Sequence, residues 1–231
     1  MSTLDRPGQR DVPPLVAGER LDRVTFHERY EAMPPGTRAE LVGGIVYMPS
    51  PLGVEHAERD GDISDWLGYY KRFTKGVRKA LNATTQFGDY GELQPDCQLR
   101  IPEELGGQTR VVGGFIVGAP ELIVEVSKAT RKYDLGPKKV DYERAGVQEY
   151  VFVGLDPEEV RWFVRREGRF VELLPGPDGI YRSEAFPGLW FEPRAFFAED
   201  MDGLIAVLEQ GLATPEHAAF VARLARAGGA A

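Results

Sequence analysis

The stretch Leu122-Ile-Val-Glu-Val126, followed by Ser127 to Gly146, decides the fold that this sequence predicts. Four of the five residues Leu122 to Val126 are apolar, which is typical of a strand that is covered on both faces. Pro137 fits the first turn of a following helix that ends at Gly146, and Glu149-Tyr-Val-Phe-Val153 is a second apolar strand. A strand, a crossover helix and another buried strand predict a βαβ unit with a parallel pair of strands.

Glu125 interrupts the first of these apolar strands. A buried, ionised carboxylate is costly without a compensating cation or metal, unless its pKa shifts until it is neutral. The chain has a formal net charge of −8, but the following residues reverse this locally with the cations Lys128, Arg131, Lys132, Lys138, Lys139 and Arg144. Taken alone, the segment favours a strand-end glutamate that pairs with a lysine of a solvated helix.

The composition limits the class of protein. The chain has 231 residues, of which 42% are hydrophobic and 28% charged, as in a globular domain with a substantial core. No segment approaches the ~20 consecutive apolar residues of a membrane span. The N-terminal residues form no apolar secretion signal, and a single cysteine, Cys97, suits a reducing compartment. We therefore expect a cytoplasmic protein without membrane association.

The acidic isoelectric point, near 5.1, bears on nucleic-acid binding. Proteins that coat nucleic acid do so by neutralising phosphates with many cations, so the charge balance argues against that class. It leaves room for a compact enzyme with one basic groove.

The order of predicted elements indicates the domain organisation. Residues 1–23 are polar and contain prolines, and they predict a flexible N-terminal arm; residues 24–210 form the main domain, and residues 211–231 a C-terminal helix and tail. Thr25 and Glu28 have the spacing of a capping box at a helix start. Arg38 to Met48 predict a β-hairpin around Gly43-Gly44.

Three further segments carry weaker patterns. Apolar residues at helical spacing between Ile63 and Phe73 predict a long helix. His56 stands at its start, where a capping or surface role is favoured over binding a phosphate or orienting a carboxylate. Ile101 to Pro120 predicts a loop, and Ala195 to Gln210 predicts a helix.

Three acids lie on or at predicted strands, and a lysine follows them. Glu40 is on the first hairpin strand, Asp96 follows Pro95 at a strand end, and Glu125 is in the central strand. Two carboxylates at adjacent strand ends offer the oxygen ligands that Mg²⁺ and Mn²⁺ accept. Such an ion lowers the pKa of a bound water, and a nearby lysine such as Lys138 orients water or stabilises developing charge. In a chain with 36 acids, spacing alone favours separate surface carboxylates.

The acids lie within longer motifs. These are Arg38-Ala-Glu-Leu-Val-Gly-Gly-Ile-Val-Tyr-Met-Pro-Ser-Pro51 with His56, Gln94-Pro-Asp96, Gly118-Ala-Pro-Glu-Leu-Ile-Val-Glu-Val126, Tyr133-Asp-Leu-Gly-Pro-Lys138, Tyr142-Glu-Arg-Ala-Gly-Val-Gln-Glu-Tyr150 and Arg182-Ser-Glu-Ala-Phe-Pro-Gly-Leu-Trp190. In this order they resemble the Uma2 family, whose members are endonucleases of the PD-(D/E)XK restriction-endonuclease-like superfamily. The resemblance implies an α/β fold with a restriction-endonuclease-like core, a mixed β-sheet flanked by helices, and an N-terminal β-hairpin and helices.

The resemblance also implies roles for the three acids. Asp96 matches the aspartate of the PD motif, Glu125 matches the acid of the (D/E)XK motif, and Glu40 matches the acid upstream of both.

The lysine departs from the superfamily pattern, because Ser127 stands two residues after the central acid. The matching lysine of the Uma2 family lies on the following helix, at Lys138, and Lys128 and Lys139 are alternatives. Asp134 also matches the family pattern, and it suits a helix cap as well as a functional acid.

The first hypothesis is therefore an endonuclease that hydrolyses DNA with Mg²⁺ or Mn²⁺ as cofactor. Asp96 and Glu125 hold the ion, Lys138 positions or activates water, and Glu40 is an accessory ligand. The residues expected to seat the phosphate backbone are Lys128, Arg131, Lys132 and Lys139. A homodimer is expected, since two nicks in a duplex call for two sites and two-fold interfaces are the commonest.

Two other hypotheses belong to different classes. One is a nuclease-fold protein that binds nucleic acid or a protein partner without cutting, for which the serine at position 127 and the acidic total leave room. The other is a metal-dependent hydrolase that acts on a small phosphorylated substrate.

Overall fold

Two six-stranded sheets, a two-stranded sheet and surrounding helices make up the computed structural model, which describes residues 12–49 and 53–229. The strands are, in chain order, β1 Glu40–Val42, β2 Ile45–Tyr47, β3 Arg78–Leu81, β4 Thr85–Phe87, β5 Gly91–Leu93, β6 Cys97–Arg100, β7 Arg110–Val112, β8 Phe115–Val117, β9 Leu122–Ser127, β10 Glu149–Leu155, β11 Glu158–Arg166, β12 Arg169–Leu173, β13 Tyr181–Arg182 and β14 Trp190–Phe191. The helices are α1 Arg23–Glu31, α2 Val54–Phe73, α3 Arg131–Tyr133, α4 Lys139–Ala145, α5 Pro193–Phe197, α6 Met201–Leu212 and α7 Pro215–Gly229. The predicted α/β class is confirmed, with two large mixed sheets in place of one.

The central strand pair is the one that the sequence predicted. The first sheet has the order β2-β1-β5-β4-β8-β7 and the second the order β12-β11-β10-β9-β6-β3. Strands β9 and β10 are parallel, with Glu125 beside Phe152, and β6 runs antiparallel on the other side of β9. The βαβ unit is thereby confirmed, and its first strand lies inside the sheet.

Alternation along β9 determines what each side chain faces. Leu122, Val124 and Val126 belong to the larger core cluster, which also contains buried residues of α2, α6 and α7. Ile123 belongs to a second cluster, formed with buried residues of the first sheet and of α4. Glu125 has the same parity as Ile123, so it points into the space between the two large sheets.

The crossover between β9 and β10 is not one regular helix. After α3, residues Asp134–Lys138 form a wide helical turn in which Gly136 has the non-helical angles φ −104° and ψ −108°. Pro137 follows it directly, and α4 then runs to a left-handed Gly146 with φ 97°. The turn buries both Asp134 and Lys138, so the kink directs both side chains inward.

Two local predictions differ from the structure because neighbouring side chains set the helix ends. Helix α1 begins at Arg23 and not at Thr25, since Asp22 accepts hydrogen bonds from the Thr25 backbone N–H at 3.0 Å and from its hydroxyl at 2.7 Å. The helix predicted from Ala195 to Gln210 is divided into α5 and α6. Glu199 has φ 60°, and Asp200 caps α6 by accepting a hydrogen bond from the Gly203 N–H at 2.8 Å.

Two segments expected to be irregular are packed. The loop predicted from Ile101 to Pro120 contains the hairpin of β7 and β8, and β8 pairs with β4. Part of the predicted N-terminal arm, residues 12–22, lies against β2, where the Gly18 N–H donates to the Val46 carbonyl at 2.8 Å and Leu15 is buried. Residues 1–11 of that arm, and residues 230–231 of the predicted tail, lie outside the described residues.

Among the described residues, no helix has the length and apolar character that a membrane crossing requires.

Candidate active site

A cavity of about 530 Å³ lies where the first sheet, the start of α2, strand β9 and the kinked crossover meet. Its polar lining residues are Glu40, Tyr47, Glu55, His56, Asp96, Glu125, Lys128, Thr130, Tyr133, Asp134 and Lys138. All four residues predicted as catalytic therefore line one cavity.

Strand pairing places two of the acids side by side. Cys97 pairs with Val124 in the antiparallel register of β6 and β9, so Asp96 lies opposite Glu125, on the same face of the sheet. Oδ2 of Asp96 accepts a hydrogen bond from the Val126 N–H at 2.9 Å. This contact with the backbone of β9 holds the Asp96 carboxylate beside the position from which the Glu125 side chain projects.

Lys138 lies among three carboxylates. Its Nζ is 3.1 Å from Oε1 of Glu125, 3.3 Å from Oε2 of Glu40 and 3.9 Å from Oδ1 of Asp134, and its side chain is 8% exposed. The Tyr142 hydroxyl also donates to Oε1 of Glu125, at 2.5 Å. The inward turn at Gly136 brings this lysine into contact with Glu125, although it stands thirteen positions after Glu125 in the chain.

Glu40 reaches the cavity from the first sheet. Its Oε1 accepts a hydrogen bond from the Gln94 N–H at 2.8 Å, while Oε2 faces Lys138. The turn of its hairpin is attached to α4, because the Gly43 N–H donates to Oδ2 of Asp141 at 2.5 Å. Gly43 has φ 58°, in the left-handed region that glycine adopts without strain. The hairpin thus carries Glu40 across the gap between the sheets.

The cavity holds more negative than positive charge. Burial raises the pKa of Asp96 to about 6, although Lys138 opposes this effect. Burial also raises the pKa of Glu125 well above its usual range, against the opposing effect of Lys138 and with the nearby acids adding to it. Burial alone would lower the pKa of Lys138, but Glu125, Glu40 and Asp134 outweigh it and raise that pKa well above its ordinary value. Three buried carboxylates thus share one ammonium group, and Asp96 beside them has no lysine or arginine ion pair among the described residues; this excess of negative charge favours uptake of a further cation.

The structure brings two more residues to Asp96 from the first turns of α2. Nε2 of His56 lies 3.4 Å from Oδ2 of Asp60 and 3.9 Å from Oδ2 of Asp96. The sequence analysis favoured a capping or surface role for His56 and did not single out Asp60. Their spacing of four residues, which puts both on one face of a helix, was the signal that could have identified them.

The residues predicted to hold a divalent ion have the donor chemistry for it. Asp96 and Glu125 supply carboxylate oxygens, the preferred ligands of Mg²⁺ and Mn²⁺. Each has one oxygen, Oδ1 of Asp96 and Oε2 of Glu125, for which the described residues provide no hydrogen-bond donor. The excess of carboxylates in the cavity makes these residues compatible with such an ion.

The four residues predicted to bind the phosphate backbone are not gathered in the cavity. Lys128 lines its rim and pairs with Glu55, whereas Arg131 is paired with Glu159. Lys132 is exposed. Nζ of Lys139 lies 3.9 Å from the centre of the Phe163 ring, outside the cavity lining. Of the three candidate catalytic lysines, Lys138 alone contacts Glu125.

Comparison with known proteins gives a family match over most of the chain. The family model described as Uma2, "Putative restriction endonuclease", matches residues 25–195. Among solved structures, the fold is similar to a protein from Anabaena variabilis ATCC 29413 described as "a putative nuclease belonging to DUF820", with a TM-score of 0.55 and 15% sequence identity. The match covers 78% of this chain and 97% of the other. No curated protein matches the chain in sequence.

Proposed function

The chain belongs to the Uma2 family, and from this premise and the geometry of the cavity we propose that it is a divalent-metal-dependent endonuclease that hydrolyses phosphodiester bonds in DNA. The observation that carries the proposal is the convergence of Asp96, Glu125 and Lys138 in one cavity from three separate elements. Fold similarity alone would not carry it, since one fold supports many functions.

Each residue has a role that follows from its contacts. Asp96 and Glu125 would hold the ion, which supplies positive charge at the scissile phosphate and lowers the pKa of a bound water. Lys138 is an ammonium donor that orients water and stabilises negative charge as it develops. Tyr142 and Lys138 both donate to the same oxygen of Glu125, so they fix the orientation of that carboxylate. Glu40 holds Lys138 from the opposite sheet and is an accessory ligand.

The rim of the cavity offers the first contacts for a phosphate backbone. Lys128 is exposed at this rim, and Arg131 and Lys132 are exposed on the crossover that follows, outside the cavity lining. With a net charge of −8 for the whole chain, we propose that DNA affinity is modest and decreases steeply with salt. Because a duplex cut requires two nicks, we also propose a homodimer, which sedimentation equilibrium would test.

Plasmid nicking tests the proposed activity. Supercoiled DNA is incubated with metal-free protein, and MgCl₂ or MnCl₂ is then added or withheld. We expect relaxation only with the ion, and Glu125→Gln should lower the rate by at least about 100-fold, because it removes a ligand charge without changing side-chain size.

Glu121→Gln is the matched control. Glu121 is a buried acid just before β9 that accepts hydrogen bonds from the Ile101 N–H at 2.6 Å and the Gln108 N–H at 3.1 Å, outside the cavity. Circular dichroism would check that both variants are folded. The proposal is wrong if Glu125→Gln nicks plasmid as fast as the unmodified protein in Mn²⁺; DNA binding without cleavage in any divalent ion would instead support a non-cutting nuclease-fold protein.

A further inference from the structure

His56 and Asp60 form a group beside the proposed catalytic residues that the mechanism above does not use. Both belong to the first turns of α2, and both face Asp96. One ligating atom from each of His56, Asp60 and Asp96 lies within 4.8 Å of the others. A single cation could therefore contact all three side chains.

Two atoms of this group are buried without a hydrogen-bond partner among the described residues. They are Nε2 of His56 and Oδ1 of Asp60, on side chains that are only 11% and 15% exposed. Buried polar atoms in folded proteins almost always have a partner. The exceptions are explained by strain, by a catalytic role, or by a bound water or ion, and here the two atoms belong to residue types that commonly bind metals.

The surrounding charges point to a cation. Lys138 is directed to Glu125, Glu40 and Asp134, and the described residues provide no lysine or arginine ion pair for Asp60 or Asp96. Two carboxylates therefore face an imidazole with no permanent positive charge among them. This differs from the Glu125 side of the cavity, where the Lys138 ammonium already pairs with three of the acids.

We propose that His56, Asp60 and Asp96 bind a divalent first-row transition-metal ion, at a position that shares Asp96 with the Glu125 site. The imidazole ligand favours a first-row transition-metal ion over Mg²⁺, which prefers oxygen ligands throughout; Zn²⁺ suits imidazole best, and Mn²⁺ suits the two carboxylates. Proline at position 95 and the bond from Val126 hold Asp96 in place between the two positions. The inference deepens the proposed function and rests on it only through this shared aspartate.

Calorimetric titration of the metal-free protein with MnCl₂, without DNA, tests the site directly. We expect His56→Gln and Asp60→Asn each to weaken the tighter Mn²⁺ binding at least tenfold, and Glu125→Gln to change it less than threefold. MgCl₂ should bind the unmodified protein more weakly than MnCl₂. His27→Gln is the matched control, because His27 also faces carboxylates, with Nδ1 2.8 Å from Oε1 of Glu92 and Nε2 3.6 Å from Oε1 of Glu31.

Imidazole NMR gives a second readout that is independent of affinity. The chain has three histidines, so the ¹⁵N signals of the rings can be assigned with His27→Gln and His56→Gln. We expect one equivalent of ZnCl₂ to shift the His56 ring nitrogens in both the unmodified protein and Glu125→Gln. Signals of His27 and of His217 should stay in place.

The outcomes separate this inference from the proposed function. If His56→Gln and Asp60→Asn bind Mn²⁺ as tightly as the unmodified protein, or if Zn²⁺ leaves the His56 signals unchanged, the site does not exist, whatever the plasmid assay gives. If the metal binds as expected and plasmid stays intact, the site stands and the nuclease proposal fails.

Discussion

Glu125 and Glu149 are two buried carboxylates on neighbouring strands, and their surroundings differ. They are 2% and 1% exposed; Glu149 starts the parallel pair β9 and β10, opposite Leu122, and Glu125 lies three positions further along it, opposite Phe152. Each lines a cavity, of about 530 Å³ for Glu125 and about 370 Å³ for Glu149. Neither burial nor a cavity distinguishes them.

The donors distinguish the two sites. Glu149 accepts hydrogen bonds from the Ser183 hydroxyl at 2.6 Å and from the backbone N–H groups of Glu184 at 2.6 Å and Ala185 at 3.0 Å. These neutral donors come from one loop and attach it to the sheet. Glu125 instead shares the ammonium of Lys138 with two other acids. The first arrangement is complete as it stands, whereas the second has carboxylate oxygens left to bind a cation.

Lys138→Met should have the largest effect, because it removes the ammonium group that distinguishes the Glu125 site from the Glu149 site. The substitution leaves several buried carboxylates without their cation, so we expect a loss of about 3 kcal/mol in the free energy of unfolding. Plasmid nicking per folded molecule should decrease by at least about 100-fold. Urea denaturation measures the first effect. Adding Glu125→Gln should recover part of the lost stability but none of the activity; if the double variant is less stable than Lys138→Met, the ammonium does not compensate the acids.

Glu149→Ala should affect stability alone. It removes the acceptor for the Glu184 and Ala185 N–H groups, and unpaired buried donors cost about 2 kcal/mol. Denaturation in urea should show this loss. We expect Mn²⁺ affinity and nicking per folded molecule to equal those of the unmodified protein, and a specific loss of nicking would mean that both carboxylates belong to the active site.

Glu149→Gln should change how the free energy of unfolding depends on pH. Burial raises the pKa of Glu149 to about 7, so between about pH 4.5 and 7 the folded protein binds more protons than the unfolded chain. The contribution of protonated Glu149 to the free energy of unfolding is complete below about pH 4.5. It is lost as the pH rises from about 4.5 to 7, by at most about 1.4 kcal/mol per pH unit. Glutamine cannot titrate. The difference in unfolding free energy between the two proteins should therefore vary with pH across this window, and a constant difference would contradict the prediction.

Ser183→Ala should have the smallest effect. It removes one of three donors to Glu149 and leaves the two backbone donors, so we expect a loss of about 1 kcal/mol in the free energy of unfolding. Thermal denaturation at pH 8, where Glu149 is ionised, should detect it. An unchanged midpoint would show that the backbone N–H groups alone satisfy the carboxylate.

Local pattern was sufficient to predict the central elements and to place three acids on or at strands, whereas their selection as site residues came from the family resemblance. The apolar run around Glu125 predicts a buried strand, and Pro95 before Asp96 predicts a strand end, because both are properties of a few consecutive residues. The choice of Lys138 came from the family resemblance. No periodicity indicates the wide turn at Gly136, since it depends on how the crossover packs between the sheets.

Other features depended on contacts between distant segments. Asp60 joins His56 and Asp96 only after α2 packs near the start of β6, and its four-residue spacing from His56 does not by itself indicate which strand-end acid the pair will face. The first sheet is built from strands of three residues, too short for a clear alternation. Glu149 looked like an ordinary strand residue because its donors come from a loop 34 to 36 positions away.

The hairpin contact between Gly43 and Asp141 joins residues 98 positions apart in the chain. Glu40 arrives from one layer, while Asp96, Glu125 and Lys138 arrive from the other. A nascent chain on the ribosome therefore contains no complete candidate site until the crossover has been synthesised and the layers have docked. A polypeptide truncated before the crossover would lack Lys138 and, with it, the proposed nuclease activity.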